Sequence, residues 1–182
     1  GYKHIPTQSI SQDARERTVA FYAPSKTFSL AGLVGSYHII YSKYLRDRVL
    51  RQSRLSHYND CNVLSVHALI GGFSPEGEAW ADEMIQVVNG NLQYACDYIA
   101  AHFPGVAVSK PQGTYMLFLD CGDFCRSHGV SISQLQERGV RCGVIWQNGE
   151  DFLLPDSIRM NFALPRSLAE EAMERLRKYV FI

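Results

Sequence analysis

Apolar residues recur every three or four positions between residues 75 and 102, the period of an α-helix. Ser74 as N-cap and Pro75 in the first turn mark its start, and "FPG" at 103–105 ends it. A helix of this length, about 40 Å at 1.5 Å per residue, suits a position along or between two domains. The apolar stripe consists of Trp80, Met84, Val88, Leu92, Cys96 and Ile99.

Shorter helices are predicted at four further places. An amphipathic pattern with a basic outer face indicates a helix over 43–54, and the apolar run 62–73 indicates a largely buried one. His67 in that run is expected to be a core or interface residue. Capping boxes predict two more helix starts, at Ser131 with Gln134 and at Ser167 with Glu170. The last helix is expected to bury Ala172, Met173, Leu176 and Val180.

β-prone runs predict six strands, at 18–23, 35–42, 106–111, 114–121, 139–146 and 157–164. The first of them is apolar enough to be a buried strand. From about residue 75 onward, strands and helices together form an α+β unit, a small sheet with helices on one side. Residues 1–74 hold two strands and two helices, too little for an independent α/β layer. The sequence therefore predicts an α/β protein whose C-terminal part is α+β.

Amino-acid composition and net charge argue against some classes of function. The chain has 182 residues, 46% apolar and 20% charged, as a globular protein has. Its 18 basic and 18 acidic residues cancel, which argues against nucleic acid or a membrane surface as the main partner. No apolar run approaches the roughly 20 residues of a membrane span, and the N-terminus lacks a signal peptide's apolar region. The loop-like start "GYKHIP" suggests a cut inside a longer protein.

The cysteines indicate a reducing, cytoplasmic location. There are five of them, an odd and scattered set, which does not suit a disulfide framework. Cys121 and Cys125 form a C-x3-C pair, but a zinc site needs two more ligands and only His128 is near. Buried or half-buried free thiols are the favoured interpretation, and no metal is expected.

Lys26, in "YAPSKTFSLAGL", is the first candidate for chemistry. A lysine amine reacts with carbonyl compounds to form Schiff bases, as in enzymes that use pyridoxal 5'-phosphate (PLP). Such a lysine suits a strand end, with hydroxyl groups for the cofactor phosphate and small residues nearby. Ser25, Thr27, Ala31 and Gly32 meet this description. On composition alone, a solvated loop lysine remains the more common case.

Arg159, in "SIRMNFALP", is the second candidate. It lies in a strand-like run with apolar neighbours, so one face of the strand should be buried. A half-buried guanidinium needs a partner, and a carboxylate that accepts two hydrogen bonds is the best geometric match. That carboxylate could belong to a ligand or to a structural Asp or Glu, and spacing alone favours the structural partner.

The segment around Lys26 resembles the lysine segment of fold type I PLP enzymes. It is most similar to the cystathionine β-lyase/C–S lyase branch of the class I/II aminotransferase family, which typically reads A-P-S-K-T-F-N-L-A-G-L here. The resemblance continues through "GYKHIPTQSI", "GFSPEGEAWADEMIQVVNGNLQYACDYI", "PGVAVSKPQGTYMLFLD" and "IRMNFALPRSLAEEAMERL" and covers essentially the whole chain.

The resemblance implies a role for three residues. Lys26 matches the lysine that forms the Schiff base with PLP and later moves the α-proton. Ser25 matches a hydroxyl that helps bind the cofactor phosphate, and Arg159 matches the arginine that holds the substrate α-carboxylate. An amino acid substrate, a homodimer, and either C–S β-elimination or transamination are implied for the parent enzyme.

Four departures from the family pattern bear on the site. Val34 stands where many aminotransferases carry a phosphate-binding Arg, and Ala23 where many carry a Ser. Both favour the lyase branch but leave fewer phosphate ligands. Ser29 replaces the branch's usual Asn. The usual Gly-rich segment before the arginine strand is altered in "VIWQNGEDFLLPDSIRMN".

The resemblance also implies a partial PLP-dependent transferase fold. Residues 1–74 correspond to the end of the large PLP-binding domain, and 75–182 to the inter-domain helix and small C-terminal domain. The family's N-terminal half, with its phosphate loop and the Asp that pairs with the pyridine nitrogen, is expected upstream. Two hypotheses remain: a piece of a PLP-dependent enzyme, inactive by itself, or a non-catalytic interaction module. In either case, uncovered apolar surface predicts self-association.

Overall fold

The computed structural model describes residues 2–56 and 60–182, which form two compact units, Tyr2–Glu83 and Met84–Ile182. All four elements predicted before residue 75 are present: a first, shortened strand, described below, and three others. These are strand β2 (Tyr37–Ile39), helix α2 (Lys43–Ser56) and helix α3 (Val63–Gly72). Helix α4 (Pro75–His102) begins in this unit and continues into the second, with Ser74 Oγ accepting a hydrogen bond from the Gly77 N–H at 3.1 Å. The predicted long helix is confirmed.

Strand β1 (Ala20–Tyr22) is shorter and more exposed than the sequence predicts. It pairs antiparallel with β2, Tyr22 lying opposite Tyr37, and the Phe21 side chain is 67% exposed. The prediction of a buried strand over 18–23 is wrong because β2 is its only sheet neighbour among the described residues. Helix α1 (Gln12–Arg17), capped by the Ser11 side chain, was not predicted.

Helix α3 has the predicted extent but not the predicted burial. It is apolar on every side, and an apolar helix needs cover on several faces to be buried. Within residues 2–56 and 60–83 only Ser65 of this helix is buried, so the expected burial of the helix is wrong. His67 is exposed and is therefore not a core residue, while an interface position for it stays a prediction. The exposed apolar side chains of the helix and its C-cap are Val63, Leu64, Val66, Ile70 and Phe73.

The second unit has the predicted α+β architecture. Four antiparallel strands form a sheet in the order β3 (Ala107–Val108), β4 (Met116–Asp120), β6 (Ser157–Asn161), β5 (Gln147–Asn148). Helices α5 (Gly122–His128), α6 (Ile132–Cys142) and α7 (Arg166–Tyr179) and the second part of α4 share one hydrophobic core with it. Its most buried large side chains include Leu92, Ile99, Phe103, Leu117, Leu119, Phe124, Leu135, Ile158, Met173 and Leu176.

Local predictions in this unit had mixed outcomes. The capping box of Ser131 and Gln134 forms in full, and Met173 and Leu176 are buried as expected. The second box does not form, because α7 begins two residues earlier than predicted, with Pro165 rather than Ser167 as N-cap. The strand predicted over 139–146 is wrong: residues 139–142 end α6, and the strand is only Gln147–Asn148. Helix α5 was not predicted.

The described residues contain no helix both long enough and apolar enough to cross a membrane. The expected domain division at residue 74 of a longer protein stays a prediction, since the division seen here concerns only the compactness of this chain.

Candidate active site

Lys26 lies in a turn that follows β1 directly. Pro24 ends the strand, because proline has no N–H to donate to a sheet. The Phe28 N–H donates to the Pro24 carbonyl at 2.9 Å, and the Leu30 N–H to the Ser25 carbonyl at 3.0 Å. Pro24 is buried in this turn, whereas Lys26 is exposed. We call residues 24–34 the lysine loop.

The types of chemical group near Lys26 in the sequence are those expected near a PLP-binding lysine. Within the described part of the chain, Lys26 takes part in none of the ion pairs or side-chain hydrogen bonds, so its amine is available to a carbonyl compound. Ser25, half-buried, and Thr27, exposed, place hydroxyls on either side of it in the sequence. Hydroxyl groups bind phosphate by donating hydrogen bonds. The loop thus provides an amine and phosphate-binding donors, but no cation for the phosphate.

Two residues of the lysine loop have left-handed backbone conformations. Ser29 has a φ of 54° and Val34 a φ of 51°. Such values are uncommon for residues other than glycine, and Asn tolerates them better than most. Asn would therefore suit the conformation of residue 29 better than Ser29 does. Val34 is 84% exposed and offers no charge, so it cannot replace an arginine at the phosphate.

Arg159 occupies the middle of the sheet of the second unit. It lies on β6 opposite Phe118 of β4 and Gln147 of β5. Its Nε donates to Gln147 Oε1 at 2.9 Å, and its Nη2 donates to the same oxygen. Its Cζ atom is 4.0 Å from the ring centroid of Phe152, a cation–π contact. The guanidinium is therefore held in one plane by an amide oxygen and an aromatic ring.

The expected structural carboxylate partner of Arg159 is wrong. None of the ion pairs that the described residues form includes Arg159. Its partner is the neutral Gln147, so the positive charge is left without a counterion and can attract a carboxylate. Sequence reasoning missed Gln147 and Phe152. Both residues lie in the altered segment before the arginine strand, so the sequence marks that segment as unusual. It does not show that Gln147 pairs with Arg159, because that pairing depends on the register of the two strands.

The structure places Lys26 and Ser25 in the unit Tyr2–Glu83 and Arg159 in the unit Met84–Ile182. Each of these residues is therefore described within its own unit. The described residues hold no group of three or more His, Cys, Asp or Glu side chains that could bind a metal.

Burial raises the pKa of the Cys121 thiol to about 12, which leaves this cysteine unreactive.

Comparison with known proteins identifies the family of the chain. The family model "Aminotransferase class I and II" matches residues 4–176, and the chain belongs to this family. It is 28% identical to cystathionine beta-lyase PatB of Bacillus subtilis (strain 168), over 97% of this chain and 45% of that protein. It is 25% identical to aspartate aminotransferase of Geobacillus stearothermophilus, over 99% of this chain and 45% of that protein.

The fold is similar to that of cystalysin from Treponema denticola, whose crystal structure contains a pyridoxal 5'-phosphate cofactor. The TM-score is 0.86 at 27% identity, covering 98% of this chain and 45% of cystalysin. The expectation of a partial PLP-dependent transferase fold is confirmed. The chain spans about half the length of the relatives it matches.

Proposed function

We propose that this chain is part of a PLP-dependent enzyme that acts on amino acids, by C–S β-elimination or transamination. The observation that carries the proposal is Lys26, an unpaired amine in a strand-end turn beside Ser25, inside a segment that matches the family. PLP, when bound, supplies an electron sink for negative charge at the α-carbon of an amino acid.

In this proposal, three residues bind the cofactor and the substrate, and one of them also transfers a proton. The amine of Lys26 would hold the cofactor through its aldehyde, by condensation with loss of water, and once free again would take the proton from the substrate α-carbon. The hydroxyl of Ser25 donates a hydrogen bond to the cofactor phosphate. Arg159 binds the α-carboxylate, and because Phe152 covers one face of its guanidinium, the carboxylate must bind in the guanidinium plane.

We further propose a cytoplasmic location and a homodimer. All five cysteines are free, as expected in a reducing compartment. Large apolar side chains such as Phe21, Leu64 and Ile70 are more than 60% exposed, and such surface is typical of protein interfaces. The small-molecule partner is an amino acid; no nucleic acid or membrane partner is proposed.

The alternative is a non-catalytic module that keeps the fold and acts through contacts. Val34 favours it, because its exposed, uncharged side chain stands where many aminotransferases bind the phosphate with arginine. The two functions differ in whether Lys26 reacts with PLP more readily than the other lysines of the chain, which are Lys3, Lys43, Lys110 and Lys178.

The test is site-specific capture of PLP by the purified chain. The Lys26 amine condenses with the PLP aldehyde with loss of water, and borohydride reduces the C=N bond to a stable amine. Peptide mass spectrometry then gives the occupancy at each of the five lysines. We expect Lys26 to be labelled about tenfold more than the other lysines, a preference of about 1.4 kcal/mol.

Two variants control this experiment. Lys26→Ala should abolish the selective label, whereas Lys43→Ala, which removes an exposed lysine paired with Asp47 at 2.5 Å, should leave it intact. Equal labelling of all lysines in a folded wild-type chain would overturn the enzyme proposal and support the interaction module.

A further inference from the structure

Helix α3 holds the last part of the lysine loop at the helix N-terminus. The Leu33 carbonyl accepts a hydrogen bond from Asn62 Nδ2 at 3.1 Å and a second from Ser65 Oγ. The oxygen of the same side-chain amide, Asn62 Oδ1, accepts a hydrogen bond from the Ser65 N–H at 2.9 Å and so caps the helix. A single Asn side chain therefore caps α3 and joins it to the loop.

The C-terminal end of the same helix holds the first part of the loop. The ring of Phe28, two residues after Lys26, packs against Gly72. A Cβ atom added to Gly72 would lie 3.0 Å from Phe28 Cδ2. The ring of Phe73 meets Phe28 edge-on with centroids 5.3 Å apart, and Phe73 also packs against Tyr37 of β2 at 5.8 Å. A side chain at position 72 would therefore crowd the Phe28 ring.

The two points of attachment lie close to the left-handed residues of the loop. Ser29 lies between Phe28 and Leu33, and Val34 follows Leu33 directly. A residue other than glycine in this conformation persists only where its surroundings hold it there. The contacts of α3 at Phe28 and Leu33 supply that restraint, so the loop conformation depends on this helix.

We propose that α3 positions the Lys26 amine by holding the lysine loop at Phe28 and at Leu33, on the C-terminal side of Lys26, with Asn62 and Gly72 as the positioning residues. Neither residue touches the reacting atoms. They act through Leu33 and Phe28, and their effect is to limit the arrangements of the Lys26 backbone. The proposal rests on the proposed function, in which Lys26 is the amine that reacts with PLP.

Asn62→Asp separates the two roles of Asn62. A carboxylate keeps the acceptor that caps α3, but it cannot donate to the Leu33 carbonyl. We expect amide hydrogen exchange at Phe28 and Leu30 to rise about tenfold, the effect of one lost hydrogen bond. We also expect the PLP occupancy of Lys26 relative to Lys178 to fall about fivefold, with an unchanged urea midpoint for the chain.

Gly72→Ala tests the other end of the helix against a neighbour. The added methyl group displaces the Phe28 ring and should lower the relative occupancy of Lys26 by a similar factor. Gly71→Ala is the matched control, because a Cβ at Gly71 meets nothing within 4 Å. It should leave both the exchange of the loop and the labelling of Lys26 at wild-type values.

The outcomes separate this proposal from the one on which it rests. If wild-type Lys26 is labelled selectively but Asn62→Asp and Gly72→Ala label it equally well, the positioning role is wrong and the proposed function stands. If the wild-type chain shows no preference for Lys26, the proposed function fails, whatever the exchange of the loop shows. A fall in labelling accompanied by an equal loss of global stability would also overturn the positioning role.

Discussion

At the scale of single residues, the candidate site was predictable where a long motif carried it. Lys26 and Arg159 could be proposed because each lies in an extended stretch that resembles one family. The partner of Arg159 was predicted as a carboxylate but is Gln147, 12 residues earlier in the sequence. No local pattern reports that pairing, because it arises from the register of two strands.

Val34 provides a prediction at this scale. Its φ of 51° is a poor conformation for a β-branched residue, and its side chain is 84% exposed, so it gains little from packing. Val34→Gly should raise the free energy of unfolding by about 1 kcal/mol, measured by urea denaturation. Val34→Ala is the control, since alanine keeps most of the strain. Equal stability of the two variants would show that the left-handed conformation is not strained.

At the scale of elements, the pattern of apolar residues over 139–146 led to the wrong prediction of a strand. The run reads as a strand, yet its first four residues end α6. The reason is packing: Gly139 is buried where the helix approaches Trp146. The capping box at Ser131 was predicted correctly because both of its partners lie within four residues, whereas the contact of Gly139 with Trp146 depends on a tight turn that the sequence does not specify.

Gly139→Ala should therefore destabilise the chain. An added Cβ would lie 2.3 Å from Trp146 Cη2, which forces the indole or the helix to move. We expect a loss of about 1–3 kcal/mol in the free energy of unfolding, the usual effect of overpacking. The matched control is Gly90→Ala, an exposed glycine in α4 with nothing within 4 Å, which should instead stabilise by about 0.5–1 kcal/mol. A stabilising Gly139→Ala would contradict this packing.

A hydrogen bond between α4 and α7 predicts a pH dependence. Tyr98 donates its hydroxyl to Glu174 Oε2 at 2.6 Å. Burial, and then the hydrogen bond to Glu174, raise the pKa of Tyr98 to about 12. The neutral phenol is thus favoured in the folded state, so this contribution to stability is complete below pH 10 and is lost as the pH rises toward 12.

Tyr98→Phe isolates that contribution. Its urea midpoint should fall less than that of the wild type between pH 10 and pH 12, since only the wild type loses the phenol. Glu174 behaves in the opposite sense. Hydrogen bonds from Arg177 and from Tyr98 hold the pKa of the Glu174 carboxyl well below its usual value of 4.5, so its contribution is complete above that pH and is lost progressively as the pH falls below it. Parallel alkaline profiles of the two proteins would show that Tyr98 does not titrate as described.

At the scale of the whole molecule, fold class was easier to predict than burial. The α+β architecture of the second unit follows from local periodicity, which the sequence displays directly. Burial of β1 and α3 was predicted from their apolar composition, but composition does not show whether another element covers them. Among the described residues α3 is largely exposed and β1 is only half-buried, and the relatives that share this fold are about twice as long.

The exposed apolar surface predicts self-association of the chain. Leu64 and Ile70 of α3 are 68% and 61% exposed, and burying such side chains releases about 1.5–3 kcal/mol each. Light scattering should show a mass above that of the 20.5 kDa monomer across the micromolar range. Leu64→Glu with Ile70→Glu should reduce that mass, whereas Val140→Glu, at a residue 55% exposed in the second unit, should not. A monomeric wild type would contradict the prediction, and equal effects of both changes would place the association surface outside α3.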